Sequence, residues 1–171
     1  MTDYPVTEII VNRDLLPLPK GFHEMVQSFK CIDEDKHISL SRHFTLSLHE
    51  LDIFRAMLSD ALQQKRHGSI DLLFTSYELL ISKEDIGRAF LAAACVKTSE
   101  LIGLFDIVDE AMETLGRDKY YEERVAHVSL AEFNSESINH VDLTKFDELL
   151  AMCRVNSVIF RAGHKLFEFP L

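Results

Sequence analysis

One pattern occurs twice in this chain and limits what it can fold into. Residues 36–42 read KHISLSR and residues 126–132 read AHVSLAE. Both reduce to histidine, a β-branched apolar residue, serine, leucine and one further residue, and His37 lies 90 residues from His127. Alternation of this kind marks a half-buried strand. In the first copy His37, Ser39 and Ser41 face one way and Ile38 and Leu40 the other. In the second, His127, Ser129 and Ala131 share a face, backed by Val128 and Leu130. Each strand then holds an imidazole beside a hydroxyl. Two such strands side by side would line one cleft with two histidines and two serines.

The rest of the chain supplies the frame for such a cleft. Residues 7–12 (TEIIVN) suit a strand, and Pro17 and Pro19 mark a break after it. Residues 21–31 space Phe22, Met25, Val26 and Phe29 at helical intervals, and Asp33-Glu34-Asp35 forms an acidic turn before the first motif. Ser47 with Glu50 is a capping-box signature for a helix over 47–66, with Leu51, Phe54, Leu58 and Leu62 as its apolar stripe. His23, His49 and His67 read as solvated helix residues. Residues 70–82 and 86–97 read as a strand hairpin, although Ala92-Ala93-Ala94 favours helix. A second long helix covers 99–115 and a third, amphipathic one covers 141–153, with final strands over 155–161 and 166–169. Strand–helix–strand units thus recur in each half, each with one His-x-Ser strand. The expectation is one α+β domain, residues 1–171, of two pseudo-two-fold-related lobes of antiparallel sheet, with helices packed outside and a central cleft.

Composition narrows the partners. The net charge of −10 argues against a broad nucleic-acid footprint but leaves room for a small site that takes one or two nucleotides. Lys36, Arg42, Lys119, Arg124, Arg161 and Lys165 could give that site a local basic rim. No apolar run is long enough to cross a bilayer, so no membrane partner is expected. The N-terminal residues lack the pattern of a secretory signal. Cys31, Cys95 and Cys153 form no CxxC pair and read as core thiols of an intracellular protein.

Two histidines and two serines suit phosphodiester cleavage. RNA carries its own nucleophile, the 2′-hydroxyl. One imidazole can take that proton while the other protonates the leaving 5′-oxygen, since the reference pKa of histidine is ~6.5. The serines would hydrogen-bond the non-bridging oxygens. Zinc chemistry fits less well, because the pattern supplies two nitrogen ligands without a third ligand at a metal-site spacing. A serine-hydrolase triad lacks its nucleophile elbow.

Paired His-x-Ser/Thr motifs resemble those of the 2H phosphoesterase superfamily. HISLSR and HVSLAEF resemble, within it, the U6 small-nuclear-RNA 3′-phosphodiesterase family. The stretch 70–95 between the motifs and the ending AGHKLFEFPL are similar to that family as well. The chain departs from the family pattern in having no tryptophan and in carrying Glu132-Phe133 after the second motif. The resemblance implies a cofactor- and metal-independent 3′-to-5′ exoribonuclease. It would trim an oligouridine tail of U6 snRNA in the nucleus and leave a 2′,3′-cyclic phosphate or 3′-phosphate. It implies His37 and His127 as catalytic, Ser39 and Ser129 as phosphate-binding and Tyr121 (Tyr120 as its alternate) as a base-stacking platform. By this analogy His127 is the base and His37 the acid, although the strands themselves leave the two equivalent. The RNA 3′ end is the implied partner of a monomeric protein. The competing readings are a 2′,3′-cyclic nucleotide phosphodiesterase, a non-catalytic nucleotide-binding 2H module and a plain interaction domain.

Overall fold

The computed structural model describes residues 6–11, 15–32, 36–65 and 68–171. Asn12, the acidic turn at 33–35, Arg66 and His67 lie outside the described residues. In chain order the elements are β1 (Val6–Ile10), α1 (Phe22–Met25), β2 (Phe29–Cys31), β3 (His37–Ser39), α2 (Leu48–Lys65), β4 (Ile70–Ile81), β5 (Arg88–Cys95), α3 (Ser99–Thr114), β6 (His127–Asn134), β7 (Ala151–Val155), β8 (Ser157–Ala162) and β9 (Lys165–Pro170). The described strands form one nine-stranded sheet in the order β7-β4-β5-β6-β3-β1-β8-β9, with β2 also paired to β6. Every pairing is antiparallel.

The two motif strands are neighbours at the middle of that sheet. On one side of this seam lie β5, β4 and β7, and on the other β1, β8 and β9. The lobes therefore do not coincide with the halves of the sequence. The β3 lobe takes two strands from the start of the chain and two from its end.

The helices form where local signals and burial agree. The capping box at the start of α2 closes reciprocally: Ser47 N–H donates to Glu50 Oε2 at 2.8 Å and Glu50 N–H to Ser47 Oγ at 3.3 Å. Thr98 Oγ1 accepts from Leu101 N–H at 3.2 Å and starts α3. Both helices bury their stripes in one core. Phe54, Leu58 and Leu62 of α2 and Leu101, Leu104, Phe105, Val108 and Met112 of α3 pack with Ile38, Leu40, Val128 and Leu130 from the motif segments.

Two expected helices are absent, each replaced by a strand the sheet needs. Over 21–31 only the single turn α1 forms; Phe29 then joins β2 opposite Phe133, and its ring meets Phe22 at 4.9 Å. Over 141–153 there is a short 3-10 turn at Leu143–Lys145 and then β7, which covers the edge of β4 from Ile70 to Phe74. Asp142 Oδ1 accepts from Thr144 N–H, a local bond that competes with helix. Residues 151–155 alternate in burial, with Cys153 and Val155 inward and Met152 and Arg154 outward. The alanine run, by contrast, lies in β5 because both its edges are paired.

Phe54 is fully buried, with its ring 4.8 Å from that of Phe160 and 5.2 Å from that of Phe44. Phe54→Ala should destabilise the fold by ~3–5 kcal/mol in urea unfolding. Leu48→Ala, at a side chain 84% exposed on the same helix, should change it by less than about 0.5 kcal/mol.

Candidate active site

The site is built on a single register. Ile38 of β3 pairs with Val128 of β6, and both are fully buried on the helix-covered side. Antiparallel pairing advances one strand as the other retreats, so His37 stands across from Ser129 and Ser39 across from His127. Each imidazole thus has a serine beside it on its own strand and another facing it. All four side chains are partly exposed, whereas Ile38, Leu40, Val128 and Leu130 are buried behind them. The sequence pairs His37 with Ser39 and His127 with Ser129, and the fold brings all four together. Diagonal neighbours on such a pair stand roughly 7–8 Å apart, a span that accommodates a phosphate between two imidazoles.

The third position of each motif is not part of that exposed set. Ser41 is 3% exposed and its Oγ accepts from Thr7 N–H at 3.0 Å, so it serves the backbone of β1. Ala131 is fully buried in a second apolar cluster with Phe22, Val26, Leu91 and Phe133. The cause is a register shift: Ala92 pairs with Ser129 but Leu91 with Ala131, so β6 carries one extra residue there. Such a bulge resets the alternation beyond it.

The two histidines have different surroundings. Nδ1 of His127 lies 2.8 Å from the carbonyl oxygen of Val125. A carbonyl only accepts, so Nδ1 carries the proton and Nε2 of the neutral ring is left with a lone pair. Burial holds the His127 pKa below its ordinary 6.5; the Val125 carbonyl and the Glu78 carboxylate oppose this, and His37 adds to it. Nε2 of His37 instead lies 3.5 Å from Oε2 of Glu8, a carboxylate only 3% exposed. Oε1 of Glu8 accepts from Arg161 Nε at 3.2 Å and Nη2 at 3.1 Å. Glu8 pairs with Ser39 across β1 and β3, which puts it on the histidine face.

Sequence reasoning missed Glu8 and Glu78. Glu8 is the one charged residue within TEIIV, and a carboxylate alternating with apolar neighbours on a strand is the signal that could have marked it. Glu78 pairs with Ala92, which pairs in turn with Ser129; Ala94 likewise flanks His127. Two methyl groups are thus all that stand beside the motif on that flank, and this gives the alanine run a role in leaving the cleft open.

Tyr121 and Tyr120 separate clearly. Tyr120 is anchored inward: its ring packs on Phe105 at 5.1 Å, its N–H donates to buried Asp109 at 2.8 Å, and burial pushes its hydroxyl pKa up to about 12. Tyr121 carries the Arg42 guanidinium 4.0 Å from its ring centroid and Lys83 Nζ at 4.7 Å, and its hydroxyl donates to Glu84 at 2.9 Å. Most of the expected basic rim is engaged elsewhere. Arg124 bonds Asp106 and Asp109, Lys119 pairs with Glu113, Arg161 holds Glu8, and Lys36 donates to the Leu16 carbonyl. Among the described residues no group of three or more His, Cys, Asp or Glu side chains is placed to hold a metal. No described helix is long and apolar enough to cross a membrane.

Comparison with known proteins bears on the family and the fold. The model of the HVSL family, described as an uncharacterised conserved protein, matches residues 11–170. U6 snRNA phosphodiesterase 1 of Dictyostelium discoideum is 27% identical over 121 residues, covering 64% of this chain and 43% of that protein. The protein of the same name from Drosophila melanogaster is 29% identical over 149 residues, covering 81% and 56%. The chain spans about half the length of these curated relatives. Among solved structures, Usb1 of Kluyveromyces marxianus superposes with a TM-score of 0.77 at 15% identity over 99% of each chain, and its form with uridine monophosphate with 0.76 at 14% over the same share. LigT of E. coli complexed with 3′-AMP gives 0.64 at 11%, over 98% of this chain and 94% of that one. The resemblance drawn from the motifs and the expected α+β 2H fold are both borne out.

The surroundings of His127 set the sign of two shifts. Glu78→Gln removes a carboxylate that favours the imidazolium and should lower the titration midpoint of His127 further, whereas His37→Ala should raise it. Imidazole NMR signals followed against pH would read both directions.

Proposed function

For a chain that belongs to the HVSL family, as this one does, we propose the chemistry of a metal-independent RNA phosphodiesterase that removes nucleotides from a 3′ end. The observation that carries this reading is the seam itself, where two His-x-Ser pairs meet with each histidine across from the other strand's serine. His127 is the general base of cleavage: it is held neutral by burial and its Nε2 is open. It takes the proton of the 2′-hydroxyl, and that oxygen attacks the adjacent phosphorus. The bond to the 5′-oxygen of the last nucleotide breaks as His37 donates a proton to it. Glu8 supplies the counter-charge for the imidazolium of His37. Ser39 and Ser129 donate to the non-bridging oxygens as negative charge builds on them. The shortened strand ends in a 2′,3′-cyclic phosphate. Water can open this ring to a 3′-phosphate with the histidines in exchanged roles.

Two imidazoles account for both proton transfers, so no metal is required by this scheme. Tyr121 stacks on the terminal base, displacing Lys83, the more distant of the cations on its ring. The relatives' name supports U6 snRNA as the substrate; in this reading its oligouridine tail is the segment removed and the nucleus the place of action.

The test is a gel assay in EDTA with 5′-labelled oligouridine. The expected result is a ladder that shortens from the 3′ end. Either His37→Ala or His127→Ala should slow it by about 10²–10⁴-fold. A 2′-deoxy substitution at the penultimate nucleotide should stop it, because the nucleophile is gone. Since the base must be neutral and its pKa is depressed, the acidic limb of the pH–rate profile should lie below pH 6.5. A requirement for divalent metal would refute the scheme, and intact RNA with hydrolysed 2′,3′-cyclic nucleotide would favour the small-molecule activity instead.

A further inference from the structure

Arg42 stands apart from the other cations near the site. Its guanidinium carbon lies 4.0 Å over the ring of Tyr121, and its buried Nε–H has no hydrogen-bond acceptor among the described residues. No described carboxylate pairs with it, in a chain whose acids exceed its bases by ten. Glu84 bonds the Tyr121 hydroxyl. A buried donor without an acceptor is costly, and a stacked guanidinium still presents its in-plane N–H groups outward.

Its position is set by the seam. Ser39 stands across from His127, so the chain leaving β3 and the chain entering β6 meet at the same end of the cleft. Arg42 is three residues beyond Ser39, at most about 10 Å of chain, and Tyr121 is six residues before His127. There they line a cavity of ≈ 560 Å³ together with Tyr120, Lys119, Arg124 and three carboxylates, Asp109, Asp118 and Glu122, of which Asp109 is held by Arg124; neither histidine lines it. Arg124 and Lys119 are already paired to carboxylates, which leaves Arg42 as the cation without an ionic partner among these three.

We infer that Arg42 forms a second phosphate subsite, distinct from the one lined by Ser39 and Ser129, for a phosphate next to the scissile one on an RNA whose last nucleotide stacks on Tyr121. This rests on the RNA-end reading given above. A phosphate offers what Arg42 lacks: an anionic partner, with two oxygens in the geometry of a guanidinium edge. Two sources of such a phosphate exist on a short RNA, a 3′-terminal phosphate on the last nucleotide or the phosphate on the 5′ side of the scissile one.

The experiment is isothermal titration calorimetry with three uridine dinucleotides that lack the 2′-hydroxyl beside the scissile phosphate, so that none is cleaved. One carries only the scissile phosphate, one adds a 3′-phosphate and one adds a 5′-phosphate. The intact protein should bind one of the doubly phosphorylated forms more tightly than the simple dinucleotide, and which one names the source. Arg42→Gln should weaken that form by at least about tenfold and leave the simple dinucleotide unchanged. Arg42→Lys, which keeps the charge and loses the fork, should fall between. Equal weakening of all three ligands, or of none, overturns the inference while leaving the RNA-end reading in place. Failure of the intact protein to bind any of the three overturns both.

Discussion

The pairing of Ile38 with Val128 is the contact on which the rest depends. It lies where two lobes of one sheet meet, and both side chains are sealed against the helices. Because side chains alternate, a slip of one residue at this point would turn the imidazoles into the core and the apolar residues into the cleft. The register is therefore enforced by hydrophobic burial on the reverse side, by Ile38, Leu40, Val128 and Leu130 against α2 and α3. The polar face contributes little to this choice. The chemistry sits on a surface whose geometry is decided behind it.

Antiparallel pairing makes the backbone of the two motifs nearly equivalent, yet their surroundings are not. His127 is desolvated and tied by Nδ1 to a carbonyl, whereas His37 meets the carboxylate of Glu8. In the proposed scheme the acid and the base must differ in which protonation state they start from. Here the difference comes from neighbours rather than from the motif. Glu8 is itself shared with Arg161, so the charge facing His37 is tempered by a second ion pair. Glu78 acts on His127 from two strands away, across the methyl groups of β5, and is correspondingly more remote.

Much of this arrangement could be read from the residues alone, and what could not has identifiable causes. The facing of His37, Ser39, His127 and Ser129 followed from period-two alternation, and α2 and α3 from long stripes with caps. The alternation misled at Ser41 and Ala131, where a backbone hydrogen bond and a bulge intervene; neither leaves a mark in a seven-residue pattern. Residues 21–31 and 141–153 carry apolar spacings that suit a helix locally, but exposed edges on β6 and β4 recruit their ends as strands. Which strands make up each lobe was not legible because β1 finds one of its partners, β8, at the far end of the chain. Tyr121 was legible as an aromatic near the second motif; that a guanidinium already lies on its ring was not.

The bond between Arg161 and Glu8 joins residues 153 apart in sequence. It has a bearing on how the molecule is made as well as on how it is arranged. A chain synthesised from its N-terminus presents Glu8 long before Arg161 exists. Until β8 arrives, β1 keeps an unpaired edge and its carboxylate must stay hydrated rather than buried. Closing so long a loop is a late and slow event in folding, since its entropy is lost before any contact repays it. The counter-charge of His37 is therefore assembled last. A nascent or partly unravelled chain holds both His-x-Ser motifs before the ion pair behind His37 is made, so under the proposed scheme the acid is completed with the sheet and not before it.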